Sequence, residues 1–410
     1  MAETNTLSPT QVAWDAYAEV LRNQREALIS HNISSDPMIR EQGLYALHSQ
    51  EATAFNMYMY PRQQYPLFFQ QAMPFPVGLS WGMPCPDFLS HQTFINGANT
   101  YRVYGNMTAN FWSTLQLFKS FWGEGQVEML ANVDFDKIPV KDNGDFEIYL
   151  GPNPPPDAKD QYWVKLDPDA NNIMLALRET FYDWENDQQM DLHIENLDRS
   201  SDAPLYFSET ELAERIGKAR KFVEYNFQFM MASVNKLIGQ AESIHGLPYL
   251  NMFFHNDQAA RDGGNPLATF VGMTYDLAPD EAIIIDMAPA EARYWSIQLG
   301  SVWAQTSDFS YHQSSINGAQ AHMDEDGHFR AVLSLTDPEV PNWLDPASIP
   351  TGVAMLRFYK YKEVVIPATK KVPLAEVRQH LPESTPTVTP GQRATQLRRR
   401  RDASLKRYGL

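Results

Sequence analysis

The stretch Arg293-Tyr-Trp-Ser-Ile-Gln-Leu-Gly-Ser-Val-Trp303 decides the fold, because its residues alternate. Trp295, Ile297 and Leu299 face one way and Tyr294, Ser296 and Gln298 the other, the two-residue period of a strand with one face in a core. Around it, Leu267–Leu277, Ala282–Met287, Ser315–His322, Phe329–Leu335 and Gly352–Tyr361 read as further strands, and Asp326-Gly327 as a tight turn. Six strands in about 95 residues, with no helical crossover, predict a jelly-roll-like antiparallel β-sandwich over residues 265–365.

Upstream, residues 201–264 read as a helical connection. Ser208 and Glu211 form a capping pair, Leu212, Ile216, Ala219, Phe222, Val223, Phe229 and Met230 supply a buried face, Gly239 suits the end, and Arg261-Asp-Gly-Gly-Asn-Pro266 breaks the chain. Residues 61–200 form a first β-module, with strands at Tyr101–Tyr104, Phe111–Phe118, Asp145–Leu150, Ile173–Phe181 and Met190–Glu195. Asn143-Gly144 is a hairpin turn and Pro152-Asn-Pro-Pro-Pro156 a loop. The proline-rich stretch 61–90 is neither helix nor central strand and should wrap the surface or line a cleft. Residues 1–60 hold two helices, opened by Ser8-Pro9 with Gln11 and by Asp36-Pro37, the second ending before Pro61. The expected class is α+β and β-dominated: an N-terminal helical and β-sandwich module, a long connecting helix, and the C-terminal jelly-roll.

Composition sets the outer limits. The chain has 410 residues, 43% hydrophobic and 12% aromatic, enough for two or three cored domains. A net charge of −17 argues against nucleic acid as a partner of the body. Residues 366–410 hold ten Lys and Arg against three acids, so this segment is +7 and the rest −24. It reads as an extended, solvated basic tail. Cys85 is the one cysteine, which rules out an intrachain disulfide and a cysteine metal cluster. The start, Met-Ala-Glu-Thr-Asn-Thr, has no signal-peptide pattern, and no uncharged apolar run is long enough to span a bilayer. A cytoplasmic protein without membrane contact is expected; a homo-oligomer is left open.

The phrases Arg293–Trp303, Asp326-Gly-His-Phe-Arg-Ala-Val-Leu-Ser334 and Pro341-Asn-Trp-Leu-Asp345 resemble the C-terminal module of a bacterial family known as domain of unknown function 1214. Arg40-Glu-Gln-Gly-Leu-Tyr45, Asn99-Thr-Tyr-Arg-Val-Tyr-Gly-Asn106 and Asp145-Phe-Glu-Ile-Tyr-Leu-Gly151 are similar to this family and its companion, domain of unknown function 1254, so the likeness covers roughly residues 40–360. It implies two β-sandwich-like modules facing each other across a cleft, and no reaction. Where relatives read Asn-Pro-Asp-Asn, this chain has Cys85-Pro86-Asp87-Phe88, so contacts made by the flanking asparagines are not carried over.

Candidate chemistry is sparse. Gly78-Leu-Ser-Trp-Gly82 matches the nucleophile-elbow string, but that motif needs a strand before and a helix after its serine, and here both flanks are proline-rich. Ser80 is therefore a chance match. Cys85, between Pro84 and Pro86, has no cation beside it to make a thiolate. His312, His322 and His328 with Asp324 and Asp326 fit no metal-loop spacing, so no metal is expected. No phosphate-cradling glycine string precedes a helix, so no nucleotide cofactor is expected either, and no cofactor of another kind is implied.

His48 and Glu51 lie three apart on the stripe Leu44, Leu47, Phe55 and Tyr58 of the second helix. They are candidate proton-transfer groups with Asp87, Tyr101 completing the catalytic set by orienting the substrate, or a structural pair anchoring the helix. Arg102 is a candidate anchor for a polar substrate, or an ion pair holding the Asp87 loop. Tyr294, Gln298, Asn317, Trp343 and Arg357 are candidate binding residues along the polar strand face, whose alternative is ordinary sandwich surface. Two functions compete: a cofactor-independent hydrolase or lyase working by acid–base catalysis on a small polar or cyclic metabolite in the cleft, and a non-catalytic protein binding a carbohydrate or metabolite.

Overall fold

The structure, a computed structural model, describes residues 7–59, 63–72, 82–155, 161–199, 206–237, 250–256 and 264–409. Ser80, Gly239, Arg261 and the prolines at 61, 74, 76 and 156 lie outside these residues. The chain divides into two compact units. The first takes Met1–Ala72, Ser90–Glu179 and Met190–Met230; the second takes Met73–Leu89, Thr180–Gln189 and Met231–Leu410. Neither is a contiguous module as the sequence suggested, because the described residues 82–89 and 180–189 belong to the second unit.

In the first unit, α1 (Pro9–Ser30) begins with the predicted capping box of Ser8 and Gln11, and α2 (Pro37–Tyr58) with Asp36 accepting from two backbone N–H groups. The strands are β1 (Phe69–Ala72), β2 (Phe88–Ile95), β3 (Tyr101–Asn106), β4 (Trp112–Ser120), β5 (Glu128–Asp134), β6 (Asp145–Gly151), β7 (Tyr162–Lys165), β8 (Ile173–Thr180) and β9 (Asp191–Asn196). They form sheets ordered β1-β2-β8-β4-β5 and β7-β6-β3-β9. Alternate residues of both sheets, including Val103, Leu115, Leu117, Ile148, Leu150, Leu175 and Leu177, make a common core. The turn at Gly144 requires glycine: its φ is +89°, and a Cβ there would come within 1.9 Å of Thr108 Oγ1. The long helix α3 (Glu209–Leu237) starts at Ser208, whose side chain accepts from Glu211 N as predicted.

The second unit is a mostly antiparallel sandwich. Its strands are β10 (Phe254–Asn256), β11 (Ala268–Asp276), β12 (Glu281–Met287), β13 (Ala292–Gly300), β14 (Ser315–Asn317), β15 (Phe329–Ser334), β16 (Trp343–Leu344), β17 (Thr351–Tyr361) and β18 (Ala368–Pro373). The sheet orders are β10-β11-β17-β13-β14 and β16-β15-β12-β18. Trp295, Ile297 and Leu299 enter the core between the sheets with Ile283, Ile285, Leu333, Leu356 and Phe358. All six strands expected here are present, and Asp326-Gly327 is the turn, with φ +79° at the glycine.

The basic segment is not an extended tail. It supplies β18, which pairs with β12, then a 3-10 helix over Leu374–His380, then α4 (Pro390–Arg407) with a capping box of Thr389 and Gln392. The physical reason lies in β12, where Ala282 and Ile284 point away from the main core and need cover. Val372 and Val377 provide it, together with Val332 and Val340. Charge alone misled the reading: Arg393, Arg400 and Arg407 are buried.

Candidate functional site

The polar cluster of the second unit grows from the strand that decided the fold. Tyr294, Ser296 and Gln298 point away from the main core, as their alternation requires, yet all three are buried, because residues 82–88 cover them. Gln298 Nε2 donates to Pro84 O at 3.2 Å, and Thr306 Oγ1 donates to the same oxygen at 2.6 Å. This pins the Cys85-Pro86-Asp87 segment to β13.

Asp87 is the centre of the cluster and is 1% exposed. Its Oδ1 accepts from Trp184 Nε1 at 2.6 Å and from Asn317 Nδ2 at 3.0 Å; its Oδ2 accepts from the Tyr294 hydroxyl at 2.5 Å. Ser296 Oγ lies 2.6 Å from the Tyr294 oxygen and Cys85 Sγ 3.2 Å from it. Burial pushes the Tyr294 phenol well above its ordinary value, with the Asp87 charge adding to it. Burial also pushes the Cys85 thiol up, against the pull of Arg357. Both groups are thus proton-bearing near neutral pH, and Cys85 is no thiolate nucleophile.

Three buried guanidiniums surround this carboxylate. Arg357 sits opposite Ser296 in the sheet register, 6.0 Å from the Phe88 ring centroid. Arg400 and Arg407 of α4 lie over the Trp184 ring at 4.4 and 4.3 Å. Arg400 donates to Phe309 O and Ser315 Oγ, and Arg407 donates to Pro86 O.

Beside the cluster a pocket of about 780 Å³ opens, with Tyr182, Trp184 and Arg400 on its wall and Gln313, Gln320 and Gln396 among its amides. Gly318 makes room for the wall: a Cβ there would come within 1.9 Å of the Tyr182 hydroxyl. The first unit has a pocket of about 270 Å³ lined by Tyr58, Asn96, Arg215 and Lys218. Pockets for small molecules hold roughly 300–1,000 Å³. The larger one is the better site on size, and it borders the buried charges.

The sequence model of a family described as "Protein of unknown function (DUF1214)" matches residues 90–183 and 273–363. The chain is similar in structure to an uncharacterized protein from Burkholderia cenocepacia, with a TM-score of 0.79 and 24% identity over 88% of this chain and 97% of that one. A protein from Vibrio parahaemolyticus matches with a TM-score of 0.46 and 14% identity over 82% of this chain and 99% of that one. None of the curated proteins matches. The first likeness shows the fold alone. The second matched segment carries Tyr294, Asn317 and Arg357, whereas Asp87, Trp184 and Arg400 fall outside both.

Of the residues singled out from sequence, the structure joins Asp87, Tyr294 and Asn317 directly and sets Arg357 and Gln298 beside them. Trp343 is placed elsewhere. Its neighbour Leu344 faces the core, so Trp343 points to the far side of its sheet, where its Nε1 donates to Ser334 O under Arg393.

The other candidates belong to the first unit. The Tyr101 side chain is core, with its hydroxyl accepting from Asn96 N. Arg102, on the other face of β3, pairs with Glu195 at 2.7 Å and Glu147 at 3.4 Å, so its carboxylate partners are these two and not a loop aspartate. His48 and Glu51 pair at 3.5 Å, with the His48 side chain 81% exposed. Of the expected stripe of α2, Leu47 and Tyr58 are buried, but His48 and Phe55 are exposed, because Gly43, Ala46, Gln50, Thr53 and Ala54, small or polar residues that hydropathy undervalues, share the buried face with them. Burial pushes the Glu51 carboxyl up and His48 pulls it back.

Trp184, Tyr182, Arg400 and Arg407 were missed. A signal existed for the arginines: Arg393, Arg400 and Arg407 recur every seven residues, which is one face of a helix over two turns.

Proposed function

We propose that this protein binds a small polar metabolite in the pocket of its second unit. One observation carries the reading: a pocket of about 780 Å³ in which an indole, a guanidinium and several side-chain amides converge. Aromatic faces with forked donors and amides are how proteins hold carbohydrates and other polar small molecules. The proton-bearing state of Cys85 and Tyr294 favours binding over nucleophilic chemistry at this site. In the same reading the companion family 1254 is represented ahead of the first matched segment, on the phrase at Arg40–Tyr45, and the protein works in the cytoplasm.

The test compares metabolites co-purifying with the full chain and with Ala319→Trp, which fills the pocket from an exposed position. Mass spectrometry of the released small molecules should find at least one compound enriched on the wild type and depleted on the variant. Identical profiles would remove the pocket from consideration.

A second reading, acid–base hydrolysis or elimination, is favoured by one group: Glu51, pushed up by burial beside His48. It predicts that some metabolite is consumed by the wild type and spared by Glu51→Gln. A metabolite mixture left unchanged by the wild type would dispose of it.

A further inference from the structure

Tyr58, the last residue of α2, is 4% exposed, and its hydroxyl is buried with no hydrogen-bond partner among the described residues. The side chain is firmly placed all the same. Its ring centroid lies 5.9 Å from those of both Phe94 and Phe222, and its own carbonyl accepts from Arg215 Nη1 at 2.8 Å. Burial pushes the phenol well above its ordinary value, with the Glu124 charge adding to it. The group is therefore a proton-bearing donor without an acceptor. A buried hydroxyl left in this state is destabilising, and in folded chains such groups meet water or a ligand.

A pocket of about 270 Å³ lies against Tyr58, built wholly from the first unit. Glu124 places the hydroxyl end at that pocket. Its charge acts on the phenol, it accepts from the Asn172 side chain, and it faces Lys218; both Asn172 and Lys218 are on the pocket wall. Gln63 Nε2 donates to Asn171 O at 2.7 Å and to Asn172 Oδ1 at 3.1 Å, which fixes this corner of the wall. Asn96 adds a further amide, its Oδ1 accepting from Ala98 N, and Phe94 an apolar surface.

The charges here match in number. Glu124, Glu211 and Glu214 stand against Arg215, Lys218 and Lys221, with Arg215 holding Glu211 at 3.0 Å and both lysines acting on Glu124. Such a site offers a free ion no net attraction, whereas its phenol and amides suit hydroxyl groups.

We propose that this pocket binds a neutral polyhydroxylated small molecule of monosaccharide size, with the Tyr58 hydroxyl donating to one ligand oxygen and the amides of Asn96 and Asn171 pairing with others. The volume lies just under the roughly 300–1,000 Å³ usual for small-molecule pockets, which keeps the ligand small. This site is separate from the pocket of the second unit and does not depend on it.

The experiment is calorimetric titration of the full chain with glucose, galactose, myo-inositol and inorganic phosphate, repeated on Tyr58→Phe, Asn171→Trp and Ala319→Trp. The expected result is saturable heat with at least one of the three polyols and none with phosphate. Affinity should fall about five- to ten-fold in Tyr58→Phe, the worth of one hydrogen bond. Binding should vanish in Asn171→Trp, which fills the pocket from an exposed position, and persist in Ala319→Trp, which blocks only the pocket of the second unit. The Tm of unliganded Tyr58→Phe should equal or exceed that of the wild type, because the oxygen removed has no partner to lose.

Silence from all three polyols overturns the proposal and leaves the hydroxyl to ordered water. Heat with phosphate alone overturns the ligand class. Polyol binding abolished by Ala319→Trp moves the ligand to the second unit and overturns it too, as does binding of equal strength in wild type, Tyr58→Phe and Asn171→Trp. A lowered Tm with unchanged affinity in Tyr58→Phe makes the hydroxyl structural and also overturns it. Should Asn171→Trp fail to fold, Tyr58→Phe decides alone, because it removes one oxygen and adds no bulk.

Discussion

Trp184 donates its indole N–H to Asp87 Oδ1 at 2.6 Å although the two residues are 97 apart in the chain. The same ring lies under two guanidiniums, so one side chain satisfies the buried carboxylate with its edge and the cations with its π-face. This economy makes Trp184 hard to replace even by another aromatic.

Trp184→Phe tests that statement. The ring persists, the donor disappears, and Asp87 Oδ1 keeps only Asn317. Losing a hydrogen bond to a charged group costs about 2 kcal/mol. Urea denaturation should show a fall of this size with native circular dichroism; an unchanged midpoint would mean the bond contributes nothing.

Ending the chain at Val388 removes α4, and with it the buried Arg393, Arg400, Ser404 and Arg407 and the Ala403 and Tyr408 contacts to Phe309 and Trp184. A loss of about 3 kcal/mol corresponds to a Tm drop of roughly 6–12 °C in a domain of this size. A thermal scan of the truncated chain with unchanged Tm would return the segment to the status of a solvated tail.

How much of this was legible beforehand depends on range. Local signals were plain: the capping pairs at Ser8, Asp36 and Ser208, the alternation at Tyr294–Leu299, and the turns at Gly144 and Gly327 all stand where the sequence put them. β2 and β5 were missed because β2 begins inside a proline-rich stretch and β5 mixes polar with apolar residues. The site was half visible. Asp87, Tyr294, Asn317 and Arg357 could be picked by residue type, but the partners Trp184 and Arg400 come from long-range packing that no local window contains. The arginines of α4 looked like solvated charge because composition cannot tell a buried cation from an exposed one.

Arg330 makes a different prediction. It reaches Asp286 at 3.1 Å, Asp324 at 2.9 Å and Asp326 at 2.6 Å, while His328 and His322 face Asp286 and Asp324 and Thr385 donates to Asp324. Hydrogen bonds from Arg330 hold the Asp326 carboxyl well below the usual carboxylate range. A carboxyl depressed in the folded state stabilises above its unfolded value and loses that contribution as pH falls. Arg330→Met therefore leaves three carboxylates facing one another, and should lower Tm by several degrees at pH 7 and almost as much at pH 4, the deficit shrinking only towards pH 2 as the Asp326 carboxyl of the wild type gains its proton. A deficit that stays constant with pH would show that lost packing, not charge, is responsible.

Alkaline pH probes the buried hydroxyls. Burial pushes Tyr182 and Tyr408 up to about 12, and raises Tyr294, Tyr275 and Tyr101 and the Cys85 thiol in the same direction. Each has a folded pKa above its unfolded one, so its contribution is whole below the unfolded value and is lost as pH rises through the folded value. Arg400 opposes them: it is pushed down to about 9 from the usual 12.5, so losing its proton in that interval relieves its burial. Arg407 is pushed down by its burial as well, and these two groups are outnumbered by five phenols and a thiol. The urea midpoint should stay level to about pH 9 and fall steadily from about pH 10 to 12, the interval between ordinary and buried phenols. Absorbance at 295 nm should show a subset of the 19 tyrosines ionising only as the chain unfolds. If every tyrosine titrates near pH 10 in the native protein, the phenols around Asp87 are open to water and the sealed cluster does not exist.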